Sequence, residues 1–274
     1  MALSWLPAPA KLNLFLHVLD KRPDGYHELQ TVFRLIDRSD RIAVASRDDG
    51  QLRFSGAFGE ENLCLRAAHL LKQHTGATLG ADITLEKHLP IGGGLGSGSS
   101  DAATVLLALN RLWKLHLGRA ALMEFGAKLG ADVPFFLFGR NALGEGIGER
   151  LEPLELKPAW YFVATPQVAV STREIFESAL TGQSKRLKIP PFFSGQGRND
   201  LEAIVCARHP EVAASLAWLR QRCPQARMTG SGACVFAELE TETQARAIQS
   251  QMPRGMDGFV AQGLDGHPLY DWVN

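Results

Sequence analysis

Residues 89–100 read LPIGGGLGSGSS, with glycine at positions 92, 93, 94, 96 and 98. Before this run, ADITLEKHLP (residues 81–90) alternates apolar Ile83, Leu85 and Leu89 with polar Thr84, Glu86 and His88, the period of a strand. After it, Ala102, Val105, Leu106, Leu109, Leu112 and Trp113 recur at helical spacing, so an amphipathic helix follows. A strand, a glycine loop and a helix in that order make a cradle for an anion. Glycine lets backbone N–H groups approach closely, and the helix start adds partial positive charge. Ser97, Ser99 and Ser100 add hydroxyls, the last two expected as caps of the helix. The run is not a Walker A loop, because no Gly-Lys-Ser/Thr closes it, and no frame of it gives G-x-G-x-x-G. The bland alternative is a flexible turn, which needs neither five glycines nor a capped helix after it.

On the N-terminal side, an apolar run over 12–19 predicts a strand that ends at RPDGYH (residues 22–27), where Asp24–Gly25 suits a tight turn. Further strands are expected over 29–36, 41–45 and 52–54, and a helix over 61–74 closed by Gly76. On the C-terminal side come a helix over 119–129 closed by Gly130 and a short one in GADVPFFLFG (130–139), with Pro134 in its first turn. Two prolines and alternating charges over 152–158 mark a boundary between domains 1–152 and 153–274. The second domain reads as a strand over 160–164, a helix over 172–180 and a polar loop to about residue 198. A helical stretch over 200–222 breaks at His209–Pro210, and strands over 234–239 and 258–264 flank a helix over 242–252. Both halves are α+β.

The chain has 274 residues, 45% of them apolar, and equal numbers (29 each) of basic and acidic side chains. No basic cluster favours nucleic acid, and no stretch has the length of a membrane span. Lys11 and Asn13 interrupt the early apolar stretch, which therefore does not read as a secretion signal. Four scattered cysteines without a C-x-x-C pair read as reduced thiols, so a cytoplasmic protein is expected, with no protein metal ligand assigned.

Several polar residues stand out beside the glycine run. Alternation places Lys11 and Asn13 on one face of the first strand. Either Lys11 faces solvent, or it points inward and needs a partner. Asp132 is either a cap for the helix that Pro134 begins or a carboxylate that orients or deprotonates a hydroxyl near a positive site. TGSGACVF (229–236) is a second tight loop before a strand, and Tyr26 and His27 offer a ring and an imidazole just after a turn.

Three of these segments, PAPAKLNLFL (7–16), LPIGGGLGSGSSDAA (89–103) and TGSGACVF, resemble the signatures of the kinase superfamily named after galactokinase, homoserine kinase, mevalonate kinase and phosphomevalonate kinase (GHMP). PDGYH, GADVPFF and NDLE (199–202) resemble the branch whose acceptor is a cytidine diphosphate-linked methylerythritol. The resemblance implies a two-domain α+β architecture, its second domain ferredoxin-like, with the active site in the cleft between domains. It implies ATP-dependent phosphorylation of the acceptor's 2-hydroxyl in non-mevalonate isoprenoid synthesis, with Mg²⁺, by a monomer or weak homodimer. Asp132 is then the catalytic base and Lys11 the neighbouring cation that neutralises the moving phosphoryl group. ATP phosphates are expected on Pro90, Ile91, Gly92, Gly93, Gly94, Leu95, Gly96, Ser97, Gly98, Ser99 and Ser100. Asn13 is expected to position the methylerythritol, Tyr26, His27 and Phe176 to hold the cytosine, and Gly230, Ser231 and Gly232 to close near the substrate. One departure is Ser97, where the family commonly carries glycine. The alternatives are a sister kinase for another alcohol, such as homoserine or mevalonate, or a non-catalytic nucleotide-binding protein, which the presence of both Lys11 and Asp132 disfavours.

Overall fold

The computed structural model describes residues 2–56, 62–179, 181–182, 184–187 and 197–273. Two long antiparallel strands, β1 (Ala2–Lys21) and β2 (His27–Arg47), form its spine. Both exceed the sequence expectation. β1 runs through Pro7 and Pro9 because within its sheet it pairs with β2 alone, so missing N–H groups leave no ladder partner stranded on the other side. The expected break after residue 36 is a register shift, opposite Pro9 and Ala10, that the ladder absorbs as a bulge.

β2 also pairs with β4 (Gly80–Glu86) along its second half and with β5 (Ala142–Gly146) along its first. The sheet order is β3-β4-β2-β5-β6, with β3 (Leu52–Ser55) parallel to β4 and β6 (Arg150–Pro153) antiparallel to β5. β5 and β6 escape a reading by alternation, since β5 is interrupted by glycine and β6 has only 4 residues. The helices α1 (Leu63–Thr75), α2 (Ser97–Leu112), α3 (Arg119–Leu129) and α4 (Val133–Phe138) match expectation apart from their ends, and the predicted first residue of α1, Glu61, lies outside the described residues. They cover one face of the sheet, burying Leu106, Leu109 and Phe135 against Phe33, Val44 and Ile83.

A second sheet, β10 (Gly258–Gln262), β7 (Trp160–Ala164), β9 (Val235–Leu239) and β8 (Arg227–Met228) in that order, is antiparallel throughout. Six residues form α5 (Thr172–Glu177), and the predicted end at Leu180 is outside the described residues. The expected break at His209–Pro210 separates α6 (Glu202–Arg208) from α7 (Pro210–Arg220), and α8 (Glu242–Gln249) opens on a capping box of Thr241 and Gln244. One face of this sheet packs on α6, α7 and α8 through Phe162, Leu216, Leu219 and Ile248. The other meets the spine, where Leu12, Leu14, Val32 and Ile36 pack on Tyr161, Val163 and Phe236.

The spine therefore serves two cores by its period of two: Phe33 and Leu35 face the helices, Val32 and Ile36 the second sheet. Burying each such side chain contributes about 1.5–3 kcal/mol, so the strands and the interface between the sheets stand or fall together. The chain end returns to the first core, with Leu269 and Val273 buried there and Arg119 donating to the carbonyls of Leu137, Tyr270 and Val273. Among the described residues no helix is long and apolar enough to cross a membrane.

Candidate active site

The glycine run forms the loop between β4 and α2, and its placement is decided by what touches it from outside. Lys11 N–H of β1 donates to Leu95 C=O at 3.0 Å. From the second sheet, Ala233 N–H and Cys234 N–H donate to Gly92 C=O and Gly93 C=O at 3.2 and 3.1 Å. Thr229 Oγ1 reaches Gly94 C=O at 3.5 Å. Four successive loop carbonyls are thus satisfied away from the loop's ligand side. Among the described residues no acceptor takes the N–H groups of 92–96, which stand ready for an anion together with the start of α2.

Two glycines are enforced here by close approach. A Cβ on Gly94 (φ +74) would lie 2.2 Å from Thr229 O, and one on Gly96 (φ +69) would lie 3.1 Å from Lys11 Cε and 2.9 Å from the Phe136 ring. The first makes room for the TGSG loop and the second for the lysine. The expected caps are corrected: α2 begins at Ser97 after Gly96, so Ser99 and Ser100 lie inside the first turn, and the buried Ser100 Oγ has no hydrogen-bond partner among the described residues.

Lys11 is 3% exposed, which rules out the solvent-facing reading. Its ammonium donates to Asn13 Oδ1 at 2.5 Å, stands 3.4 Å from Asp132 Oδ2 and lies 5.5 Å from the centre of the Phe33 ring. Asp132 sits before α4 but makes no side-chain cap there, so its carboxylate is directed to the lysine. Its side chain is 34% exposed, leaving an oxygen accessible to a ligand.

These groups line one cavity of about 810 Å³ between the two sheets. Residues 90–99 form one wall; Lys11, Asn13, Asp132, Phe176, Gly230 and Ser231 form others. Four predicted residues lie off this wall. Ser100 points into the buried side of α2. Gly232 is turned toward Met228 and Val205. Tyr26 is 59% exposed at the tip of its turn. His27 is buried behind Phe176, with ring centroids 5.6 Å apart, and burial, aided by the charge of Lys21, lowers its pKa, which keeps the imidazole neutral.

Sequence reasoning missed a second polar cluster on the cavity, centred on Lys87 and Asp101. Lys87, just past β4, donates to Asp40 Oδ2 (2.5 Å), Ser97 Oγ (2.8 Å) and Asp101 Oδ2 (2.8 Å). Asp40 also accepts from the N–H groups of His88 and Leu89, which ends the strand early and aims the chain into the glycine loop. One ammonium cannot neutralise two buried carboxylates. Burial first, and the adjacent Asp40 charge, push the Asp101 carboxyl up to about 7 against the pull of Lys87. The only signals were an aspartate in DRSD (37–40) and a lysine in EKHL (86–89), ordinary surface residue types, and no spacing rule brings them together. Thr31 and Thr172 also reach the site unannounced, Thr172 bonding Ser231 Oγ at 2.8 Å, and Thr229 of the TGSG loop accepts from Asn13 N–H through Oγ1 at 2.9 Å.

The GHMP kinases N terminal domain matches residues 62–140 and the GHMP kinases C terminal domain residues 193–258. A 4-diphosphocytidyl-2-C-methyl-D-erythritol kinase of Nitrosospira multiformis is 57% identical, over 97% of this chain and 93% of that protein. The protein of the same description from Thiobacillus denitrificans is 55% identical, over 97% and 98%. A crystal structure of a 4-(cytidine 5'-diphospho)-2C-methyl-D-erythritol kinase superposes with a TM-score of 0.82 at 36% identity, covering 96% of this chain and 99% of that one. With the glycine loop, the Lys11–Asp132 pair and the two-sheet cleft already in place, these likenesses show that the chain belongs to the 4-diphosphocytidyl-2-C-methyl-D-erythritol kinase family of GHMP kinases.

Proposed function

We propose that the protein transfers the γ-phosphoryl group of ATP to the 2-hydroxyl of 4-diphosphocytidyl-2-C-methyl-D-erythritol, the kinase step of non-mevalonate isoprenoid synthesis. The observation that carries this reading is the single cavity holding both the unspent loop N–H groups and the Lys11–Asp132 pair. Phosphoryl transfer asks chiefly for positioning and charge neutralisation. Loop amides and the α2 dipole hold the phosphates, and the Lys11 ammonium lies between loop and carboxylate, where negative charge moves. Asp132 orients the acceptor hydroxyl and accepts its proton as the bond to phosphorus forms.

Mg²⁺ bound to nucleotide phosphates needs few protein ligands and keeps several waters. The cavity fits that habit in the Ser99 hydroxyl on its wall, which could reach the ion. The ion would add positive charge at the phosphates. For the acceptor, Phe176 offers a stacking face on the cavity wall, His27 beside it a neutral imidazole, and Tyr26 an exposed second ring. The protein is taken as a monomer or weak homodimer, and four unpaired cysteines suit a reducing cytoplasm. We divide the chain at 152/153, just before the end of β6.

A coupled ADP-release assay tests the reading. Release should require the cytidylylated acceptor and Mg²⁺, and homoserine or mevalonate should not substitute. Turnover of either alcohol without response to the cytidylylated compound would overturn the acceptor assignment. ATP binding without any release would leave a nucleotide-binding protein.

A further inference from the structure

Lys11 has three protons to place, and the catalytic reading needs one of them directed at the phosphoryl group. What fixes the ammonium is a buried chain of hydrogen bonds whose direction is fully determined. Thr31 Oγ1 lies 2.5 Å from Phe15 C=O and 2.8 Å from Asn13 Nδ2. A carbonyl only accepts, so the single hydroxyl proton goes to Phe15, and the hydroxyl oxygen must accept from Asn13. The Asn13 NH₂ therefore faces Thr31 and its Oδ1 faces Lys11, which only donates. The amide orientation is dictated from both ends. Lys11, Asn13 and Thr31 are 3%, 2% and 1% exposed, so water does not scramble it. Across the sheet Gly144 leaves room first for the Phe33 ring, 2.5 Å from where its Cβ would lie, and then for the Thr31 methyl at 3.3 Å.

We propose that Thr31 is a positioning residue for phosphoryl transfer: through the Asn13 amide it sets the Lys11 ammonium between Asp132 and the glycine loop. The proposal rests on the reading of Lys11 given above. Without the hydroxyl acceptor, the Asn13 NH₂ loses its bond to Thr31 and only Lys11 still orients the amide, so the amide can swing and carry the ammonium out of place. Threonine to valine keeps shape and removes the acceptor.

The test is steady-state kinetics of Thr31→Val, Thr31→Ser, Asn13→Ala and the Thr31→Val/Asn13→Ala double variant, with the wild type in the same ADP-release assay. Thr31→Val should lose about tenfold in kcat, the scale of a hydrogen bond to a charged network, while KM for ATP changes less than twofold. Thr31→Ser should restore at least a third of wild-type kcat. In the Asn13→Ala background the valine should cost nothing further, because Thr31 acts through Asn13. A Thr31→Val kcat within twofold of wild type, an equal loss in Thr31→Ser, or multiplicative losses in the double variant would each overturn the proposal. If Thr31→Val does not fold, Thr31→Cys, similar in volume and a weak acceptor, carries the same comparison. No turnover by the wild type would sink the reading of function. Turnover by the wild type with an unaffected valine variant would sink this inference alone.

Discussion

Lys11 and Lys87 line the same cavity, the first buried and the second half-buried, each beside carboxylates, and their surroundings set them to different tasks. Lys87 spends one proton on each of Asp40, Ser97 and Asp101, so it has nothing left for a ligand and instead ties β2, the loop and α2 together. Lys11 has one short bond to a neutral amide and a looser 3.4 Å approach to Asp132. A cation with capacity in hand can follow charge that moves during reaction, whereas a saturated one is a fastening. Burial alone does not separate the two. The count of committed donors does.

The comparison is most exposed at Asp132. Asp132→Asn should lower kcat by about 10³-fold, within the range for a lost general base, with ATP affinity within threefold by nucleotide titration. Turnover within tenfold of wild type would reduce Asp132 to a structural partner of Lys11. Lys87→Met should act on stability instead: leaving Asp40 and Asp101 buried without their cation costs about 3–5 kcal/mol in urea unfolding. An undiminished fold with a collapsed kcat would reverse the roles assigned to the two lysines. For Lys11→Met the expected loss is about 100-fold in kcat with KM for ATP nearly constant, as for a removed charge stabiliser. Unaltered kinetics would put Lys11 among the fastenings.

The Lys87 end also titrates. Asp101 is raised in the folded protein to about 7 from its ordinary 3.8. Between those values the native state holds more protons than the unfolded chain, so stability falls as pH rises through the window. Relative to Asp101→Asn, the wild type should lose about 2 kcal/mol of unfolding free energy between pH 5 and 7. Parallel pH profiles would show that Lys87 neutralises both carboxylates after all. The smallest expected effect is Ser97→Gly, which removes the third partner of Lys87. Nucleotide affinity or stability should shift by about 1 kcal/mol, while kcat stays within threefold. A large kcat effect would move Ser97 from the lysine's shell to the reacting phosphates.

Residue order alone predicted the local units well. The strand–loop–helix around the glycine run, the helices over 119–129 and 130–139, and the break at His209–Pro210 are carried by periodicity, glycine and proline, which act within a few residues. The reach of β1 through Pro7 and Pro9 was not legible, because whether proline breaks a strand depends on which edge is paired. Lys11, Asn13, Asp132 and Phe176, expected as site residues, line the cavity, while Tyr26 and His27, expected to hold a ligand, are not on its lining: Tyr26 is exposed and His27 buried. Asp40, Lys87 and Thr31 were invisible, since each acts through partners 10 to 49 positions away.

The sequence by itself determined that an anion-binding loop would stand between a strand and a helix, because glycine conformations and the helix dipole are local properties. It also determined that a lysine and an aspartate were available to it. Only the tertiary structure separated the surroundings of Lys11 from those of Lys87. It did so by bringing Asp40, Ser97 and Asp101 around one ammonium and leaving the other with an amide and a half-exposed carboxylate. Hydrogen-bond satisfaction is set by neighbours across the fold, and no window of sequence contains them.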